Sequence, residues 1–324
     1  MTAWRRILAV LAALPLAAAA PCAFAQPAPG KHRVGVLIPA TTPDLAEFRK
    51  ALQELGYEEG GNLELDVRIA GDRLDKLSTM AAEIVRASPE VILAVNTPGT
   101  KAAMAATRTI PIVMVAVGDP VATGFVASLA RPDKNVTGLT NMCGELAGKR
   151  LSLFKTALGE ARRVAVMLNS ADPITGPQVR DIEHIAPTLG IEARLFPVRS
   201  RADVDSVFPA LIKWRPDGIL WLCGQQRALT RYMLPLAARH RLPVMPYQAL
   251  EVPAGGLMAY STDNADLFRH SALYVDKILK GAKVSELPVE QPTKFELVIN
   301  MKVAAALGLA LPQDVLVQAD RLIQ

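Results

Sequence analysis

A series of short apolar runs along the chain is followed, each time, by a few small polar residues. Pro-Ala-Thr-Thr-Pro-Asp fills 39–44, Asn-Thr-Pro-Gly-Thr 96–100, and Gly-Asp-Pro 118–120. In the second half, Asn-Ser-Ala-Asp fills 169–172, Gly-Gln-Gln 224–226, and Tyr-Gln 247–248. Hydroxyl and amide groups in such places can donate to an anion. Each segment precedes an expected helix start, whose first N–H groups and positive dipole end favour the same charge. Thr, Asn, Asp and Ser are also ordinary helix caps, so no single position decides anything. The shared character of all these run ends is what points to a binding cleft. Catalysis is poorly supported. The chain has no G-x-S-x-G elbow, G-x-G-x-x-G loop, P-loop or H-E-x-x-H. His184, His240 and His270 fall inside predicted helices and His32 at the start of the first run, none spaced as a metal ligand near another. Asp119 has no nucleophile or partner by spacing, so neither an enzyme, nor a metal, nor a cofactor is expected.

The elements that would position these segments alternate. Apolar stretches at 33–38, 63–69, 91–95 and 112–117 read as strands, separated by helical spacings at 44–55, 75–87 and 100–107. The second half continues with a helix at 145–157, strand 164–168, helix 176–189, strand 191–198, helix 202–214, strand 218–223, helix 227–241 and strand 243–247. A long helix at 265–280, a strand at 295–299 and a short helix at 302–307 complete the pattern. Continuous apolar strands alternating with amphipathic helices predict an α/β protein with two doubly wound parallel-sheet lobes. In such sheets ligands bind beyond the carboxyl ends of the strands, where the polar segments lie.

The first 25 residues read as an export signal. Arg5 and Arg6 precede an apolar run from Ile7 to about Ala20, and Ala23-Phe24-Ala25 is a small-x-small cleavage site. Pro21 before Cys22 disfavours lipid attachment, so cleavage after Ala25, a Pro/Gly-rich leader over 26–32 and a periplasmic protein without stable membrane insertion are expected. Losing two arginines lowers the formal charge from +5 to +3. That mild balance, with aromatics at 5%, gives no reason to invoke nucleic acid. Cys143 and Cys223 have neither disulfide-scaffold nor zinc spacing. They read as two separate thiols, although an oxidising compartment would permit a bridge.

Longer motifs carry a resemblance. Residues 118–140 (GDPVATGFVASLARPDKNVTGLT), 255–260 (GGLMAY), 279–281 (LKG) and 287–300 (LPVEQPTKFELVIN) resemble the signatures of ABC-transporter substrate-binding proteins of the tryptophan-binding-protein type. The similarity spans 33–324. It implies the type I periplasmic-binding-protein fold, with the chain crossing between lobes near 141–144, 260–262 and 291–294. The N-terminal lobe would comprise 33–143 plus 261–291, and the C-terminal lobe 144–260 plus 292–324. It also implies a small ligand, an amino acid or small carboxylate and possibly aromatic, captured between the lobes of a monomer by closure. The partners would be an ABC permease and its ATPase; the alternatives are a ligand receptor for a membrane signalling partner and, behind it, an exported enzyme on the same fold. By position, Thr41, Thr42, Asn96, Thr97, Thr100, Asp119 and Pro120 would face the ligand from one lobe. Asn169, Gln225, Tyr247 and Gln248 would face it from the other, with Tyr260 at the hinge. Thr97 and Thr100 suit a carboxylate, Asp119 an ammonium, and Tyr247 or Tyr260 a ring. The resemblance further places Cys143 at a crossing, on the same side of the cleft mouth as Cys223.

Overall fold

Apolar strands need cover on both faces, and the chain supplies it by winding helices alternately over two sheets. In the computed structural model, which describes residues 30–39, 45–71, 73–170, 172, 174–224 and 227–324, the first half runs β1 (His32–Ile38), α1 (Ala46–Glu54), β2 (Leu63–Ile69), α2 (Leu77–Arg86), β3 (Val91–Val95), α3 (Asn96–Ala106), β4 (Ile112–Val117) and β5 (Val136–Thr140). These strands form one parallel sheet in the order β2-β1-β3-β4-β5. β3 and β4 are buried along their whole length, which explains why they read as unbroken apolar runs. α1 packs Phe48, Ala51 and Leu52 on one face with Val34 and Val36, while Leu77, Ala81 and Ile84 of α2 cover Leu37 on the other. The export signal lies outside the described residues.

The second half repeats the scheme with α4 (Ala147–Leu158), β6 (Arg163–Leu168), α5 (Thr175–Ile185), β7 (Glu192–Pro197), α6 (Arg201–Trp214), β8 (Gly218–Trp221), α7 (Arg227–Arg239) and β9 (Val244–Met245). Its parallel sheet has the order β7-β6-β8-β9. A capping box starts α6: the Ser200 hydroxyl accepts from the Asp203 N–H, and the Asp203 carboxylate accepts from the Ser200 N–H. Then follow β10 (Met258–Thr262), α8 (Asn264–Leu279), β11 (Phe295–Asn300), α9 (Met301–Leu307), α10 (Gln313–Val317) and β12 (Arg321–Ile323). α8 returns to the first half, where Leu267, Phe268, Ala272 and Val275 join the core beneath α1. Leu297 and Ile299 of β11 join the core of the second half.

Several sequence expectations need correction. β10 pairs antiparallel with β11, so the sheets are not purely parallel. β5, β10, β12 and α10 lack the apolar runs that reveal a buried strand or an amphipathic helix. β5, Val-Thr-Gly-Leu-Thr, carries Gly138 at φ +129°, where an added Cβ would lie 2.1 Å from the Met114 carbonyl oxygen. α3 begins four residues before the expected position 100, because Pro98 sits in its first turn, where no N–H is needed. α5 stops at Ile185, and Pro187 opens a separate 3-10 turn. Segment 118–120 leads into a chain of turns, not a helix.

Three crossings join the halves, and they are bonded to one another. The Thr262 hydroxyl donates to the Asn141 carbonyl at 2.6 Å, tying the first to the second. The Asp263 N–H donates to the Lys294 carbonyl at 3.1 Å, tying the second to the third. Lys294 also pairs with Asp266 of α8 at 2.5 Å.

The separate-thiol expectation is overturned: Cys143 and Cys223 form a disulfide, with Cα atoms 5.9 Å apart. The first crossing brings Cys143 back over the end of β8, a proximity that 80 residues of separation conceal. In the chain-entropy view a loop of that size is worth about 4–5 kcal/mol, and measured values are commonly about 2–4. Replacing both cysteines by Ala should therefore lower unfolding free energy by about 2–4 kcal/mol in urea titrations. In denaturant, peptides carrying Cys143 and Cys223 should resist alkylation until a reductant is added. Ready alkylation without reductant would rule out the bridge.

Candidate functional site

The carboxyl ends of β3 and β4 lie side by side, and both carry unusual backbone. Asn96 has φ +58° and Ala116 +59°. Ala116 sits where the β4–β5 register slips between Met114 and Val117. Among the described residues, Ser88, Arg215 and Arg241 share positive φ, but each follows the end of a helix, where left-handed caps are ordinary. Met142, at φ +49°, lies in the first crossing. Left-handed backbone costs an L-residue roughly 1–2 kcal/mol and collects at functional sites. Here it collects at two adjacent strand ends and the hinge.

A pocket of about 300 Å³ opens at these strand ends. Ile38, Val95, Asn96, Ala116 and Phe268 line one side, and Gln248, Leu250, Glu296 and Arg321 the other, with Asp263 and Asn264 of the second crossing between them. Leu250 is 46% exposed, an apolar surface left open in the cleft. Glu47, also in the lining, pairs with Arg269 at 2.8 Å. Asp263 caps α8, accepting from the N–H groups of Ala265 and Asp266. Burial pushes the Glu296 carboxyl above the ordinary range, and Arg321, 3.9 Å away, only partly opposes it. The pocket thus combines an apolar wall, three amides and several acids beside one arginine.

The structure brings Asn96 and Gln248 together in this pocket, from opposite halves of the chain. Thr97 is half-buried in the first turn of α3. Thr100 is fully buried, and its hydroxyl donates to the Asn96 carbonyl at 3.0 Å. Asp119 and Pro120 stand apart. The Asp119 carboxylate accepts from the N–H groups of Val121 and Ala122 and faces a second pocket of about 270 Å³ with Glu145, Ile174 and Asp181. Pro120 is buried beneath the turn it starts, its carbonyl accepting from Phe125. Asn169 is half-buried, and its carbonyl accepts from the Thr175 hydroxyl at 2.7 Å. Tyr247 is buried in the core beside Trp221 and lines a small recess next to the main pocket. The Tyr260 ring stacks on Phe295 at 5.8 Å. Thr41, Thr42 and Gln225 lie outside the described residues.

Sequence reasoning passed over Glu47, Leu250, Asp263, Phe268, Glu296 and Arg321, because the pocket gathers them from elements remote in the chain. It also passed over Arg150. Arg150 is 1% exposed and donates through Nε to the Tyr260 carbonyl at 2.8 Å and through Nη1 to the Cys143 carbonyl at 3.0 Å. Burial lowers its guanidinium to about 10, so it stays charged at neutral pH. A signal for it existed: it lies three residues after Ala147 and four before Phe154, on the apolar face of its helix. Asp172 is a half-buried acid. Desolvation raises its carboxyl, which accepts from the Ile174 N–H and abuts Gly224.

Two lobes, three crossings and a pocket at the strand ends form the arrangement of a ligand-capturing receptor. The sequence model described as ABC transporter substrate binding protein matches residues 34–323. The chain belongs to this family. This ABC transporter substrate-binding protein is 26% identical over 264 residues to the tyrosine-binding protein of Clostridioides difficile strain R20291, covering 81% of this chain and 75% of that one. A conserved domain protein from Vibrio cholerae matches at a TM-score of 0.81 and 29% identity, over 90% of this chain and 99% of that one. A Streptococcus pneumoniae structure in complex with L-Trp matches at 0.81 and 24%, over 91% and 100%. The architecture is the type I periplasmic-binding-protein fold. Substrate-binding proteins of this family are extracytoplasmic and bind solutes for a transporter. No helix among the described residues is long and apolar enough to cross a membrane.

Glu296 gives this substrate-binding protein a testable pH dependence. Its folded carboxyl holds a proton to higher pH than the unfolded one, so its contribution to stability falls as pH rises through and above the ordinary value of 4.5. Glu296→Gln should raise the melting temperature relative to wild type at pH 7 and leave it nearly unchanged at pH 4. An equal shift at both pH values would remove Glu296 as the cause.

Proposed function

We propose that this protein is the periplasmic receptor of an ABC importer and captures an amino acid, with an aromatic one favoured, by closing its lobes over it. The observation that carries this reading is the pocket shared by Asn96 from one lobe and Gln248 from the other, floored by the strained ends of β3 and β4. Its volume, about 300 Å³, suits a small ligand. The apolar surfaces of Leu250 and Phe268 suit a ring, and the neighbouring acids suit an ammonium group. The names of the tyrosine-binding relative and the L-Trp complex support the same class.

Closure follows from contacts to both walls. A ligand that touches Asn96 and Gln248 together gains the second set of bonds only when the lobes meet, so binding shifts the population toward the closed form. That form is then offered to the permease and its ATPase. Asp119 faces the second pocket, so Glu47, Asp263 and Glu296 are the better ammonium partners. Thr97 and the first turn of α3 remain candidates beside Asn96, and Thr41, Thr42, Asn169 and Gln225 remain candidates by sequence position alone. The chain is released by cleavage after Ala25 and acts as a monomer.

A thermal-shift screen of the exported protein against the twenty amino acids and small aromatic acids tests the reading, since a tight ligand raises the melting temperature by mass action. At least one aromatic amino acid should stabilise it, and calorimetry should give a single site per chain. Asn96→Ala and Gln248→Ala should each weaken that ligand about two- to tenfold, the worth of a neutral hydrogen bond. A screen in which no amino acid shifts the transition would overturn the proposal.

A further inference from the structure

Arg150 is a charged side chain placed where an apolar one would be expected. It projects from the face of α4 that carries Ala147, Leu151 and Phe154 into the core. It is one of the largest fully buried side chains in the described chain. Its two carbonyl partners, Cys143 and Tyr260, occupy Nε and one N–H of Nη1. A guanidinium has five N–H donors, so three remain. No acidic side chain among the described residues pairs with it, and the groups acting on it electrostatically are the phenols of Tyr247 and Tyr260. A buried cation without a counter-anion is expensive. Fastening two carbonyls does not require a charge, since a neutral amide could do it.

What Arg150 faces accounts for the charge. It lines a recess with Tyr247, Gln248, Ser261, Thr262 and Asn264, whose volume of about 10 Å³ is that of one water-sized oxygen. Gln248 and Asn264 line this recess and also the 300 Å³ pocket, so the recess is a narrow extension of the main pocket. We propose that Arg150 is the anion anchor of the cleft, its remaining N–H groups receiving one oxygen of the ligand's carboxylate between Gln248 and Asn264. This rests on the amino-acid reading above and gives the ligand a direction: carboxylate inward to Arg150, ammonium toward Glu47, Asp263 and Glu296, side chain against Leu250 and Phe268. The carboxylate is therefore held by a side chain of the hinge, not by Thr97 and Thr100 in the first turn of α3. The guanidinium that receives it also ties the first crossing to the second, so the ligand's charge reaches the hinge directly.

The test compares amino acids with their decarboxylated amines. Affinities of L-tyrosine, tyramine, L-tryptophan and tryptamine are measured by calorimetry on wild type, Arg150→Gln and Arg150→Lys. Wild type should prefer an amino acid over its amine by at least about tenfold, the worth of a charge-assisted hydrogen bond. Arg150→Gln should shrink that preference below about threefold while leaving the amine's own affinity within about twofold. Arg150→Lys should keep an intermediate preference, and it decides the matter if the Gln variant does not fold. A preference that survives in Arg150→Gln, or an equal loss for acid and amine, would show that Arg150 only fastens the hinge and would overturn the anchor alone. Wild type binding none of the four compounds would overturn the aromatic amino-acid reading and the anchor with it.

Discussion

The two lobes depend on one buried guanidinium. At the crossings the chain leaves the protection of both sheets, yet its peptide groups remain buried and must be satisfied. Arg150 does this for two crossings at once by holding the carbonyls of Cys143 and Tyr260. The Thr262–Asn141 and Asp263–Lys294 bonds extend the same knot to the third. These bonds run between the crossings themselves, while each half keeps its own core. The apolar clusters divide accordingly, with α8 and the first sheet on one side and β11 and the second sheet on the other.

The disulfide fixes one end of that knot. Cys143 belongs to the first crossing and Cys223 follows β8, so the bridge ties that crossing to the end of β8. Gly118 reaches the same place from β4: an added Cβ there would lie 2.9 Å from Ile174 and 3.1 Å from the Cys143 sulfur. A glycine is what lets the end of a first-sheet strand approach both. Strand end, first crossing and second half of the chain therefore meet within van der Waals distance here.

The pocket gains its chemistry from positions that individually look unremarkable. Asn96 and Ala116 store backbone strain at the ends of otherwise regular strands. Glu296 comes from β11 and Arg321 from β12, and Asp263 and Asn264 from the second crossing. Each belongs to a different stretch of chain, and only the sharing of one cavity makes them a site.

The alternation of buried strands and amphipathic helices was legible in the sequence, because full burial demands unbroken apolar runs such as 91–95 and 112–117, and a half-buried helix demands a 3.6-residue stripe. That Asn96 and Gln248 would lie near strand ends was legible as well, since they follow such runs, and both line the pocket there. β5, β10 and β12 were not, because strands made of Thr, Gly, Ser and Arg owe their pairing to neighbours already in place. The Cys143–Cys223 bridge, the acids of the pocket and the meaning of Arg150 were likewise decided by tertiary structure. Local residue type determines which segments can be buried. Which distant residues share a bond, a cavity or a charge depends on where three crossings of the chain place them.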